Sequence, residues 1–145
     1  MRILLALDDS TRSMDEALRL AHDRGAELSA LFVLDTGWSV YTGHDFLLGS
    51  HARGTFLDYA RDDELAQEKA TAAELQNRAQ AAGVDCQLKT AAAGRVPEAI
   101  LAELKTGGYD LLVMSHPFRR GLEVMRDAAT QVLKGADCDV LLVKR

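Results

Sequence analysis

The sequence predicts one doubly wound α/β domain over residues 1–145, and three observations lead there. Five short apolar runs recur along the chain, each too brief to be a buried helix. Stretches of helical character fill most of the gaps between them. With 145 residues, 48% of them hydrophobic, the chain can also bury one core without help from disulfides or metals. Strands that alternate with crossover helices form a mainly parallel sheet, because the right-handed strand-helix-strand unit lays its helix on a sheet face and both faces become covered.

The first strand is Ile3 to Leu7, ended by the polar pair Asp8-Asp9. Ser13-Met14-Asp15-Glu16 has capping-box spacing, and Met14, Ala17, Leu18 and Ala21 then share one helical face until Gly25. Leu28 to Leu34 is the second strand. Thr36 to Tyr59 is irregular, with Gly37, Gly43, Gly49 and Gly54 among the aromatics Trp38, Tyr41, Phe46, Phe56 and Tyr59. Loops that long inside a compact domain tend to be functional or disordered. Ala60 to Ala82 is rich in Ala, Glu, Lys and Gln, and Leu65, Ala72, Leu75 and Ala79 form a stripe, so a long helix is expected up to Gly83.

Cys86 to Thr90 is the third strand. Pro97 opens the next helix, Ile100 and Leu104 carry it, and Gly107-Gly108 close it before the fourth strand, Leu111 to Met114. The final helix is expected from Ala128 to Lys134 with Gly135 as its stop, and Val140 to Val143 is the fifth strand. No repeat, low-complexity tract or linker divides the chain.

A formal charge of -5 without clustered Lys or Arg excludes a general nucleic-acid binder, whose affinity for phosphate backbones needs such clusters. The opening apolar run is too short for a signal or membrane segment, so a cytoplasmic protein with no membrane partner is expected. Cys86 and Cys138 lie far apart with no ligand spacing around them, and both are expected as reduced thiols. His44 and His51 lack the i, i+4 spacing of a helical metal pair, so no metal is expected. Ser115 and His116 are adjacent on a strand end and point to opposite sides, which denies them a nucleophile-base hydrogen bond. No catalytic residue is assigned and no enzyme is expected.

The pieces together resemble the universal stress protein family over nearly the whole chain. ILLALDDSTRSMDEAL looks like its first strand and helix, AAGRVPEAILAEL with YDLLVMSH like its third helix and fourth strand, and CDVLLVKR like its last strand. The resemblance implies a five-stranded parallel sheet in the order 3-2-1-4-5, helices on both faces, and a homodimer formed through the last strand, here Val140, Leu141, Leu142 and Val143. In the nucleotide-binding branch it implies adenosine over the ends of strands one and four, with phosphates in a G-x-x-G-x9-G-[ST] loop.

That loop pattern is broken here. Counted from the fourth strand, the two glycines fall on Met114 and Pro117, and the Gly-[Ser/Thr] pair on Asp127-Ala128; anchored on Val132-Leu133, the pair falls on Arg126-Asp127. Met114 would put a side chain where backbone must approach phosphate, and Pro117 has no N–H to donate. Asp127 is expected to cap the last helix with a carboxylate where an anion would otherwise sit, and like charge then opposes phosphate. Arg119 and Arg120 could bond phosphate or simply form a solvated loop tip.

Asp8 sits where the family places an acidic residue near adenosine, and it equally suits the polar turn Asp8-Asp9-Ser10 before the helix. Val33, Gly94-Arg95 and Ser115 complete the candidate crevice. The expected function is a non-enzymatic, homodimeric stress-response module with possible protein partners and no cofactor; the alternative is a switch that binds AMP or ATP through Asp8, Ser115 and the two arginines.

Overall fold

The computed structural model describes residues 1–36, 50–120 and 127–145, with side chains of the long helix described from residue 61 onward. Strands β1 (Arg2–Ala6), β2 (Glu27–Asp35), β3 (Cys86–Ala93), β4 (Leu111–His116) and β5 (Asp139–Lys144) form one parallel sheet in the order β3-β2-β1-β4-β5. Helices α1 (Thr11–Arg24), α2 (Ser50–Ala82), α3 (Val96–Gly107) and α4 (Ala128–Gly135) make the crossovers among the described residues.

The central strand shows why its sequence is apolar throughout. Side chains alternate across a strand, so Ile3, Leu5 and Leu7 enter one core layer with Met14, Leu18 and Leu75 from α1 and α2. Leu4 and Ala6 enter the opposite layer with Val96, Ile100 and Val132 from α3 and α4. Each large side chain buried this way stabilises the fold by about 1.5–3 kcal/mol relative to exposure. Sheet order and covered faces thus agree with the expectation.

Several local expectations need correction. Helix α1 is capped by Ser10, whose Oγ accepts from Ser13 N at 3.3 Å, while Ser13 Oγ donates back to Ser10 O at 3.0 Å. The Ser13 to Glu16 capping box does not form, because the helix already begins at Thr11 and Glu16 pairs with Arg19 instead. Gly25 ends the helix as expected, at φ 60. Strand β3 runs on to Ala93, beyond the expected Thr90.

Helix α2 starts at Ser50 rather than Ala60, so residues 50–59 of the expected irregular region are helical backbone. The glycines and aromatics assigned to residues 37–49, with His44, lie outside the described residues, as do the side chains of His51, Phe56 and Tyr59, while Gly54 is part of the helical backbone. In the expected α2 stripe Leu75 and Ala79 are buried, but Leu65 is 46% exposed and its neighbour Glu64 faces inward at 8%. The inward carboxylate pairs with Arg120.

Gly135 is the last residue of α4 rather than its stop. A Cβ there would lie 2.7 Å from Leu101 Cδ1, so the glycine lets α4 approach α3. Cys86, on β3, and Cys138, just before β5, are free thiols at opposite edges of the sheet. Burial pushes the Cys86 pKa up to about 11. Among the described residues β5 pairs with β4 alone and its outer backbone edge carries no further strand, while Leu141 and Val143 pack toward one core layer and Val140 and Leu142 toward the other. Among the described residues no helix is long and apolar enough to cross a membrane.

Candidate functional site

Beside each other in the sheet, β1 connects outward toward β2 while β4 connects toward β5, so a crevice opens at their carboxyl ends. Asp8, just past β1, lies on its floor with no exposed surface. Its Oδ1 accepts from Ser10 N at 2.9 Å, which is the polar turn the sequence suggested. Oδ2 accepts from Ser115 Oγ at 2.5 Å, from Arg119 N at 3.0 Å and from Arg145 Nη1 at 2.6 Å. The second amino group of Arg145 donates to Asp9.

A buried carboxylate without partners would be costly, and this one is surrounded by donors from its own chain. Burial works against the Arg145 charge, but the Asp9 hydrogen bond and the charges of Asp8 and Asp9 prevail and hold its proton more tightly than usual. The crevice therefore places Asp8, Ser115 and the Arg119 backbone together. It adds Arg145, which no sequence pattern singled out.

The two arginines of the 119–120 pair part company. The Arg119 side chain is exposed. Arg120 is 3% exposed, so the solvated loop tip is wrong for it. Its guanidinium lies 3.9 Å from the Phe32 ring centroid and donates to Val33 O at 2.9 Å, Gln67 Oε1 at 2.9 Å and Glu64 Oε2 at 2.6 Å. Glu64 in turn accepts from Asp35 N at 3.1 Å. Arg120 is thus a strut joining the end of β2, helix α2 and the segment after β4, and Val33 enters through its carbonyl.

Met114 also needs correction. Its side chain is fully buried in the core layer with Leu4, Ala6 and Val96, because β4 continues through Ser115 to His116 and Met114 faces inward. It does not occupy a phosphate loop. Pro117 follows a cis peptide after His116 and is exposed. Asp127 caps α4 as expected, accepting from Thr130 N at 3.1 Å and from Thr130 Oγ1 at 2.5 Å. Those Thr130 hydrogen bonds hold its carboxyl below the usual carboxylate range.

Gly94 is exposed, and a Cβ on it would meet nothing within 4 Å, so no close approach there requires glycine. Neighbouring Arg95 donates to Gln131 Oε1. A cleft of about 660 Å³ beside the crevice is lined by Asp9, Asp63 and Glu64 against Arg119 and Arg120, and Arg120 is already committed to Glu64. Ser115 is buried and bonded to Asp8, whereas His116 is exposed. Among the described residues no group of His, Cys, Asp and Glu could hold a metal ion.

No curated protein matches the chain. A Burkholderia pseudomallei universal stress family protein is 25% identical, with a TM-score of 0.65 over 98% of this chain and 94% of that one. The Archaeoglobus fulgidus universal stress protein in complex with dAMP is 16% identical, with a TM-score of 0.69 over 99% of this chain and 98% of that one. An Arabidopsis thaliana universal stress family protein with AMP bound is 19% identical, with a TM-score of 0.63 over 100% of this chain and 92% of that one. The sequence model of the universal stress protein family matches residues 1–144, and with the sheet order and crossovers described above it shows that the chain belongs to the universal stress protein family.

Proposed function

We propose that the protein is a non-enzymatic stress-response protein of the cytoplasm, acting as a homodimeric interaction module through β5, with a crevice closed to ATP by its own side chains. The observation that carries this reading is the Asp8 carboxylate, fully buried and bonded to Ser10, Ser115, Arg119 and Arg145. A ligand there must break internal bonds before it makes any. Asp127 supports the reading at the start of α4, since its carboxylate takes up Thr130 N, one of the N–H groups that would receive a phosphate.

The dimer part rests on the outer edge of β5, which pairs with no further strand among the described residues, because an unpaired edge strand is an aggregation hazard that pairing with a second copy removes. Native mass spectrometry of freshly purified protein should give a dimer mass without retained nucleotide. Calorimetry with ATP and magnesium should show no binding tighter than about 1 mM, roughly 4 kcal/mol. A low-micromolar dissociation constant would overturn the closed-crevice reading.

A second reading has its own support. Similar structures hold dAMP and AMP, which favours an adenine-nucleotide switch in which Asp8 and Ser115 exchange internal partners for ligand groups. It predicts a nucleotide mass retained in the same native spectrum.

A further inference from the structure

The guanidinium in the crevice comes from the far side of β4. Arg145 follows β5, yet its Nη1 lies 2.6 Å from Asp8 Oδ2 past the end of β1, and 3.5 Å from both Ser115 Oγ and Pro117 O. Strand β4 stands between β5 and β1, and two strand spacings come to about 10 Å. The side chain therefore lies across the carboxyl end of β4, over the switch point where ligands enter folds of this class. Its anchors belong to three elements: Asp8 and Asp9 after β1, Ser115 on β4 and Pro117 beyond it.

We propose that Arg145 is a plug, an intramolecular contact that holds the Asp8 crevice shut and ties it to the end of edge strand β5. Docked Arg145 and a ligand on Asp8 exclude one another. The inference rests on the closed-crevice reading above and gives it a cause separate from the phosphate loop. Because coupling is reciprocal, whatever draws the end of β5 away also favours a ligand on Asp8, and a ligand there loosens the His116↔Lys144 end of the β4–β5 pairing. The ligand chemistry is set by Asp8 itself: hydroxyl or amino donors, such as the diol of a nucleoside, with no phosphate required.

Adenosine isolates the plug, since it carries no phosphate for Asp127 to repel. It is titrated by calorimetry into the wild-type protein, Arg145→Ala and Asp9→Asn. Wild type should show no binding tighter than about 1 mM, and Arg145→Ala a gain of at least about tenfold. Asp9→Asn removes only the outer anchor of the guanidinium at a side chain that is 72% exposed, so the fold is preserved, and it should show a smaller gain of the same sign. Amide exchange at Val143 and Lys144 should quicken in Arg145→Ala. If Arg145→Ala does not fold, Asp9→Asn decides. Folded variants that bind adenosine no better than wild type refute the plug while leaving the closed crevice intact; wild-type protein that binds ATP in the micromolar range refutes the closed crevice itself.

Discussion

Replacing Glu64 with alanine tests whether Arg120 is the buried strut described here. The two side chains are 11% and 3% exposed and meet at 2.6 Å, so Glu64→Ala leaves a guanidinium buried without its countercharge. Breaking a buried pair from one side costs about 3–5 kcal/mol. A domain of this size loses roughly 3–4 °C in Tm per kcal/mol, so a fall of about 10–20 °C is expected in thermal unfolding followed by circular dichroism. Glu64→Gln keeps an acceptor for Arg120 and for Asp35 N and loses only the charge, so about 1–2 kcal/mol should suffice. The double change Glu64→Leu with Arg120→Met should recover most of the loss, since an apolar pair of similar volume avoids the desolvation of both ions. A loss below about 1 kcal/mol for Glu64→Ala, the value of an exposed pair, would refute the strut and return Arg120 to solvent.

Three further outcomes follow from the same geometry. Because only the thiolate reacts and burial holds the Cys86 pKa up at about 11, native alkylation at pH 8 should modify Cys138 before Cys86, and unfolding without reductant should reveal two free thiols; an intrachain disulfide would contradict the sheet order. Leu141→Lys or Val143→Lys, at half-buried edge positions where a lysine stem can still reach water, should give folded monomers by light scattering, and a wild-type monomer at high micromolar concentration would sink the edge-pairing idea. Asp127 titrates below its ordinary range, so its cap stabilises α4 above about pH 4 and is lost as pH falls through the lowered value; Asp127→Ala should remove that part of the acid limb, visible in acid unfolding curves.

The alternation of strands and crossovers was legible because parallel strands covered on both faces read as unbroken apolar runs, as Ile3 to Leu7 does. The Asp127 cap was legible for the same local reason, an Asp directly before a helical run. The pairings around Asp8 were not. Arg145 and Asp8 are 137 residues apart, and only the sheet order brings them together. Glu64 hid beside Leu65 on a helix where the apolar stripe pointed to the wrong neighbour, since a charged residue faces inward only when a distant partner waits for it. Met114 was misread because the strand outlasts its apolar run by two polar residues, Ser115 and His116.

With Met114 in the core, the proposed closure to ATP rests on Pro117, Asp127 and the Arg145 contact, and these are unequal. Asp127 is exposed, where the effective dielectric approaches that of water, so its repulsion of a phosphate at a given distance is about a quarter of what a partly buried carboxylate would exert. Pro117 withholds one N–H. Arg145 is different in kind, because it occupies the position a ligand needs and pairs with a carboxylate that has no exposed surface. Restoring loop freedom with Pro117→Gly, Asp127→Gly and Ala128→Ser should therefore do little while Arg145 stays docked, and should strengthen AMP binding clearly in the Arg145→Ala background. Calorimetry on the four combinations separates the two barriers: equal gains from the loop changes in both backgrounds, with no gain from Arg145→Ala by itself, would show that the loop alone is limiting and that Arg145 never stood in the way.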